Sequence, residues 1–189
     1  MGRTYFSTFE LLLLAVFAAL VVVGNVALRL PLKMPGHSGV VWMALLVIAR
    51  GVVPKLGAAS SVGLLSGLLA AFVGVGDKGG LDTLLSYTAA GAGVDLVSGL
   101  APLGLAALGL APPGALTCAV AGLVGNLAKL GVKVLLELWI GIPTGFLVLG
   151  RTYPALTHTV FGLAGGYLGA LVLAALRRAG FFAYLAARR

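Results

Sequence analysis

Four polar residues, Asn126, Lys129, Lys133 and Glu137, recur at intervals of three, four and four inside an otherwise apolar stretch from Leu116 to Ile140. In a helix that spacing places them on one face. A lysine at the centre of a bilayer costs about 2.5–3.5 kcal/mol on insertion scales, so the stripe is expected to face protein or water. Two readings are open. Lys133 and Glu137 form a pair that merely neutralises itself, or the whole stripe lines a polar cavity; the second also accounts for Lys129 and Asn126. The ammonium groups suit a carboxylate or a phosphate, Glu137 and His158 suit an amine or ring nitrogen, and Trp42 suits an aromatic ring.

Further candidates join the stripe when depth is considered. His37, Trp42 and His158 fall at a level similar to Lys133 and Glu137, Asp95 and Ser98 lie nearer mid-membrane, and Trp139 and Tyr153 offer aromatic faces. A few placed polar groups among aromatic rings make a ligand site. Plainer roles stand beside this one: Trp139 and Tyr153 as interfacial anchors, His37 as an ordinary loop residue, Asp95 as the cap of a kink. Catalytic constellations are missing. Gly74-Val75-Gly76-Asp77-Lys78-Gly79 lacks the spacing and ending of a phosphate-binding loop, Gly91-Ala92-Gly93 lacks the third glycine of a dinucleotide fingerprint, and neither His-Glu-x-x-His nor Gly-x-Ser-x-Gly occurs. Two histidines without ligand spacing and the lone Cys118 indicate no metal site. The expectation is a non-enzyme without a cofactor.

The elements that must position these residues are membrane helices. Of 189 residues, 60% are hydrophobic and 10% charged, and the mean hydropathy is +1.12, whereas a soluble domain carries about 25% charged residues. The net charge of +8 therefore marks a membrane protein's cytoplasmic face, not nucleic-acid binding. Six passes are expected in a single all-α transmembrane domain over 1–189, a compact bundle with helices at about 9–28, 39–49, 56–75, 83–110, 115–140 and 155–176. The second is short and stopped by Arg50-Gly51, Pro102 kinks or shortens the fourth, Pro143 and Pro154 bracket a loop holding Arg151 and Tyr153, and 177–189 is a basic cytoplasmic tail. With the N-terminus inside, Arg3, Arg50, Lys55, Arg177, Arg178, Arg188 and Arg189 are cytoplasmic, against Arg29, Lys33, Lys78 and Arg151 outside. That asymmetry favours N-in and C-in in the cell membrane.

Small residues spaced by four, Ala15 and Ala19, Gly63 and Gly67, Gly162 and Gly166, Gly165 and Gly169, let helices approach closely. The Pro-rich outer loop running into a short second helix (Pro31 to Trp42), the basic turn Arg50-Gly51-Val52-Val53-Pro54-Lys55-Leu56-Gly57-Ala58 and the Ala15-x-x-x-Ala19 pair together resemble the substrate-binding S component of energy-coupling factor (ECF) vitamin transporters. The resemblance implies that Ala15 and Ala19 dock on a coupling membrane subunit, and that the loop with Pro31, Lys33, Pro35, Gly36, His37 and Ser38 is a lid over the substrate. It also implies that the outer ends of helices four to six hold a vitamin, and that two cytoplasmic ATPases power uptake by toppling the loaded subunit.

The expected function is thus capture of a small water-soluble vitamin or vitamin precursor, with a thiamine-like or pyrimidine compound one candidate among several. The alternatives are a self-sufficient proton-coupled carrier, in which Lys133, Glu137 and His158 titrate during transport, and a structural membrane subunit without a ligand.

Overall fold

Ser7 and Glu10 start the first helix by a reciprocal exchange. The Glu10 amide donates to Ser7 Oγ (3.2 Å) and the Ser7 amide donates to Glu10 Oε2 (2.8 Å), which satisfies two of the donors a helix start leaves unpaired. From there α1 runs Thr8–Ala27. A computed structural model describes residues 6–27, 35–75, 80–107 and 114–186, and within them the chain is all-helical. After α1 come α2 (Gly39–Val52), α3 (Ala58–Val73), α4 (Gly80–Ala107), α5 (Ala115–Trp139), α6 (Thr144–Arg178) and the short α7 (Phe181–Ala186). Stretches Thr8–Ala27, Ala115–Trp139 and Leu149–Arg178 are each long and apolar enough to cross a membrane, and α2 and α3 are shorter apolar helices. The chain is on this ground a membrane protein.

The centre of the packing is α2, which touches α1, α3, α4, α5 and α6. Trp42, Met43, Ala44, Leu46, Val47, Ile48, Ala49 and Val52 are all buried, as befits a helix that is apolar all round. The neighbouring α1 is different. It buries one stripe, Glu10, Leu14, Ala18, Val21 and Val22, and leaves Leu11, Leu12, Val16, Leu20 and Val23 on its outer surface, where lipid can cover them. Glycines set the contact distance on α6. A Cβ on Gly162 would lie 2.8 Å from the Gly122 carbonyl oxygen of α5, and one on Gly165 would lie 2.6 Å from the Val40 carbonyl oxygen of α2. The two four-residue pairs on α6 therefore seat it against two helices at once.

Most helix ends fall within three residues of those read from the sequence, and the sixth does not. Thr144 to Tyr153 is helix, with Pro143 at the N-cap and Pro154 inside the helix, where a loop was expected. A proline removes one backbone hydrogen bond, a local cost of about 3 kcal/mol in water, and membrane helices tolerate it where neighbouring groups re-satisfy the backbone. Similarly α2 continues past Arg50-Gly51 to Val52, and α4 runs through Pro102 to Ala107. The supposed basic tail begins with the last turn of α6 and then forms α7, where Leu185 is buried.

Candidate functional site

Where α1 ends and α4 begins, a cavity of about 270 Å³ opens between the helices. Its walls follow from helical spacing. On α5, Lys129 and Lys133 lie one turn apart with Leu130 beside them; on α6, Arg151, Pro154 and His158 recur at three and four; on α4, Asp82, Thr83, Ser86 and Tyr87 form two adjacent rows. Asn25 of α1 and the turn Pro35 to Ser38 complete the enclosure. Thr83, Ser86, Tyr87 and His158 are buried.

Behind the wall, Trp42 and Tyr87 stack with ring centroids 4.7 Å apart. The Lys129 ammonium sits 4.2 Å from the Trp42 centroid and 5.4 Å from that of Tyr87, so the ring quadrupoles stabilise a charge held away from bulk water. The Asn25 amide donates to the Tyr87 hydroxyl and so ties α1 to α4 at the cavity. Glu137 forms an ion pair with Arg151, which joins α5 to α6 and holds the guanidinium at the cavity. Asn126, fully buried, donates from Nδ2 to the His158 carbonyl oxygen at 2.9 Å. The His158 ring in turn lies with Nδ1 2.7 Å from the Pro154 carbonyl oxygen.

Gly36 is what lets the turn sit down on this surface. Its φ of 79° is left-handed, and a Cβ there would come 2.7 Å from His158 Nδ1. Only glycine meets both conditions without displacing the imidazole. Gly39, the first residue of α2, lies equally close against the Asn126 side chain.

Of the residues singled out from sequence, His37, Lys129, Lys133 and His158 line the cavity, as do Pro35, Gly36 and Ser38. Trp42, Asn126 and Glu137 support it from behind. Pro31 and Lys33 lie outside the described residues. Two aromatic candidates are misplaced: Trp139 is 82% exposed and Tyr153 54% exposed, because their helix positions turn away from the Lys129 and Arg151 faces. Asp95 is a third correction. It lies 13 residues beyond Asp82 on α4, about 20 Å at 1.5 Å per residue, and so reaches the opposite end of the helices. There it accepts hydrogen bonds from the amides of Ala59 (3.3 Å) and Ser60 (2.7 Å) and from Ser60 Oγ (2.7 Å), and pairs with Arg50 at 3.2 Å. It caps α3 from a neighbouring helix.

Sequence reasoning missed Asn25, Asp82, Thr83, Ser86, Tyr87 and Arg151. A signal existed for the α4 set, since polar residues at 82, 83, 86 and 87 repeat at helical spacing as clearly as those of α5. Arg151 was hidden by the loop assignment. Compared with known proteins, the chain matches no family model, no curated protein and no solved structure. Among the described residues no group of three or more His, Cys, Asp or Glu side chains is placed to hold a metal ion.

Proposed function

We propose that the protein is a membrane-embedded binding subunit that captures a small water-soluble nutrient of the vitamin class from outside the cell, and that a coupling membrane subunit and two cytoplasmic ATPases energise its uptake. The observation that carries this reading is the cavity: about 270 Å³ of space bordered by Lys129, Lys133, Arg151, Asp82 and two histidines, inside helices whose outer faces are apolar. Ionisable groups at membrane depth are expensive, and they mark ligand or ion pathways. A void beside them argues for a solute, since a purely structural charge cluster packs shut.

In this reading six helices, α1 to α6, span the bilayer with both termini inside, which follows the lysine and arginine asymmetry and turns the cavity toward the exterior. The turn Pro35 to Ser38 acts as part of a lid, seated on His158 through Gly36. Ala15 and Ala19, both on the exposed face of α1, offer a smooth track for the coupling subunit. Transport then needs no large rearrangement within the subunit, only its reorientation by the partner.

The test is purification from a native membrane followed by mass spectrometry of both released metabolites and copurifying proteins. A bound vitamin-class metabolite together with ATPase subunits is expected. Uptake that persists in cells lacking the ATPases and collapses with the proton gradient would instead identify a self-sufficient carrier. Protein that releases no metabolite, in cells whose uptake is unchanged by Lys133→Ala, would leave a structural subunit.

A further inference from the structure

We infer that the solute held in this cavity is a small acid, bound through its carboxylate or phosphate by Lys133 and Arg151; the inference rests on the ligand-binding reading above and narrows it. The side chains bordering the space include three cations, Lys129, Lys133 and Arg151, and one carboxylate, Asp82. That carboxylate already accepts the Ser86 hydroxyl at 3.1 Å.

Two features of the sequence would have favoured a cationic ring, and in the folded protein both are engaged. Glu137, the acid suited to an amine, is paired with Arg151. The Trp42 face, suited to a cationic heterocycle, carries the Lys129 ammonium at 4.2 Å. What α5 and α6 present to the cavity is therefore positive. The Glu137 pair holds the guanidinium in a fixed direction from behind, so its planar fork is ordered before any ligand arrives, which is the geometry that recognises a carboxylate or phosphate through two parallel hydrogen bonds. Lys133, one helical turn from Lys129, adds a point charge in a setting of low dielectric, where attraction to an anion is stronger than in water. Asp82, Thr83 and Ser86 on the facing helix suit the donors and hydroxyls of the same molecule. The volume lies just below the roughly 300–1,000 Å³ typical of ligand pockets, so the acid is small.

The full-length protein, purified in detergent, tests this in two arms. In the first, metabolites released on denaturation are identified by mass spectrometry, and a carboxylate or phosphate is expected, the spectrum telling which. In the second, binding is followed by thermal unfolding with nicotinate and thiamine monophosphate as carboxylate and phosphate probes, and nicotinamide and thiamine as their partners without the anionic group. The released metabolite, and whichever acid probe binds, should lose at least tenfold in affinity in Lys133→Gln and regain most of it in Lys133→Arg. A neutral or cationic metabolite that Lys133→Gln holds as tightly as the parent protein overturns the assignment to acids and leaves the ligand-binding reading standing. Absence of any released metabolite, with no response to any of the four probes, overturns the ligand-binding reading itself and this inference with it.

Discussion

At the end of the helices where α1 begins, Glu10 pairs with Lys55 at 2.6 Å and Asp95 with Arg50 at 3.2 Å; at the end where α1 finishes, Lys129, Lys133 and Arg151 border a void. Both ends bury charge among apolar helices. They differ in what the charge does. Asp95 accepts from Ala59, Ser60 and the Ser60 hydroxyl as well as facing Arg50, so its lone pairs are spent on the start of α3. Glu10 is spent likewise, between Lys55 and the α1 capping box. These pairs tie the α2–α3 turn to α1 and α4. At the other end, one ion pair orients an arginine toward space. Charge at the first end is spent on partners within the fold, whereas charge at the second borders space, and the proposed binding role rests on that difference.

The comparison is most easily broken with Asp95→Ala. Removing one partner of a buried pair costs about 3–5 kcal/mol, and here the start of α3 loses its acceptor as well. A large drop in thermal unfolding temperature is expected, with ligand affinity retained in whatever protein folds. Lost affinity without lost stability would show that the two ends are not separate in role. Next in size is Gly36→Ala, which combines a left-handed φ with a Cβ directed at His158. A destabilisation of about 1–3 kcal/mol is expected, together with weaker binding as the turn lifts off the cavity. Unchanged affinity in a binding titration would remove the turn from the site.

Lys129→Met sharpens the contrast further. Loss of the cation over Trp42 and Tyr87 should cost about 0.5–2 kcal/mol, less than Asp95→Ala, because a cation over ring faces contributes less than a buried ion pair with its hydrogen bonds. The chain has two tryptophans, so in a Trp139→Phe background the emission of Trp42 alone reports the change. An identical spectrum with and without Lys129 would place the ammonium elsewhere. The background substitution is the smallest effect of the set. Trp139 is 82% exposed, and its replacement should alter unfolding by no more than about 0.5 kcal/mol; a larger shift would mean that this ring is packed.

One wall of the cavity, Lys129 and Lys133, could be read from spacing. Asn126, Lys129, Lys133 and Glu137 fall on one face of α5 by arithmetic, and the cost of a lysine in hydrocarbon directs that face inward without reference to any fold. The same arithmetic misassigned Asp95, because polarity and rough depth do not say toward which neighbour a helix end leans. Pro154 reads as a break in the sequence, yet helix continues on both sides of it and carries Arg151 to the cavity. Trp139 and Tyr153 were drawn in by residue type alone, and their helical phase points them outward.

Composition and periodicity by themselves determined that the chain is helical and apolar enough to cross a membrane, and that α5 must turn a charged stripe away from lipid, since both follow from the free energy of placing each side chain in hydrocarbon. Tertiary structure alone decided the partners. Glu137 meets Arg151 and not simply its own helix, Lys129 rests on the Trp42 and Tyr87 rings, and Asp95 serves the start of α3. The physical reason is that solvation cost is a property of one residue in its segment, while pairing depends on crossing geometry and glycine contacts between helices far apart in sequence.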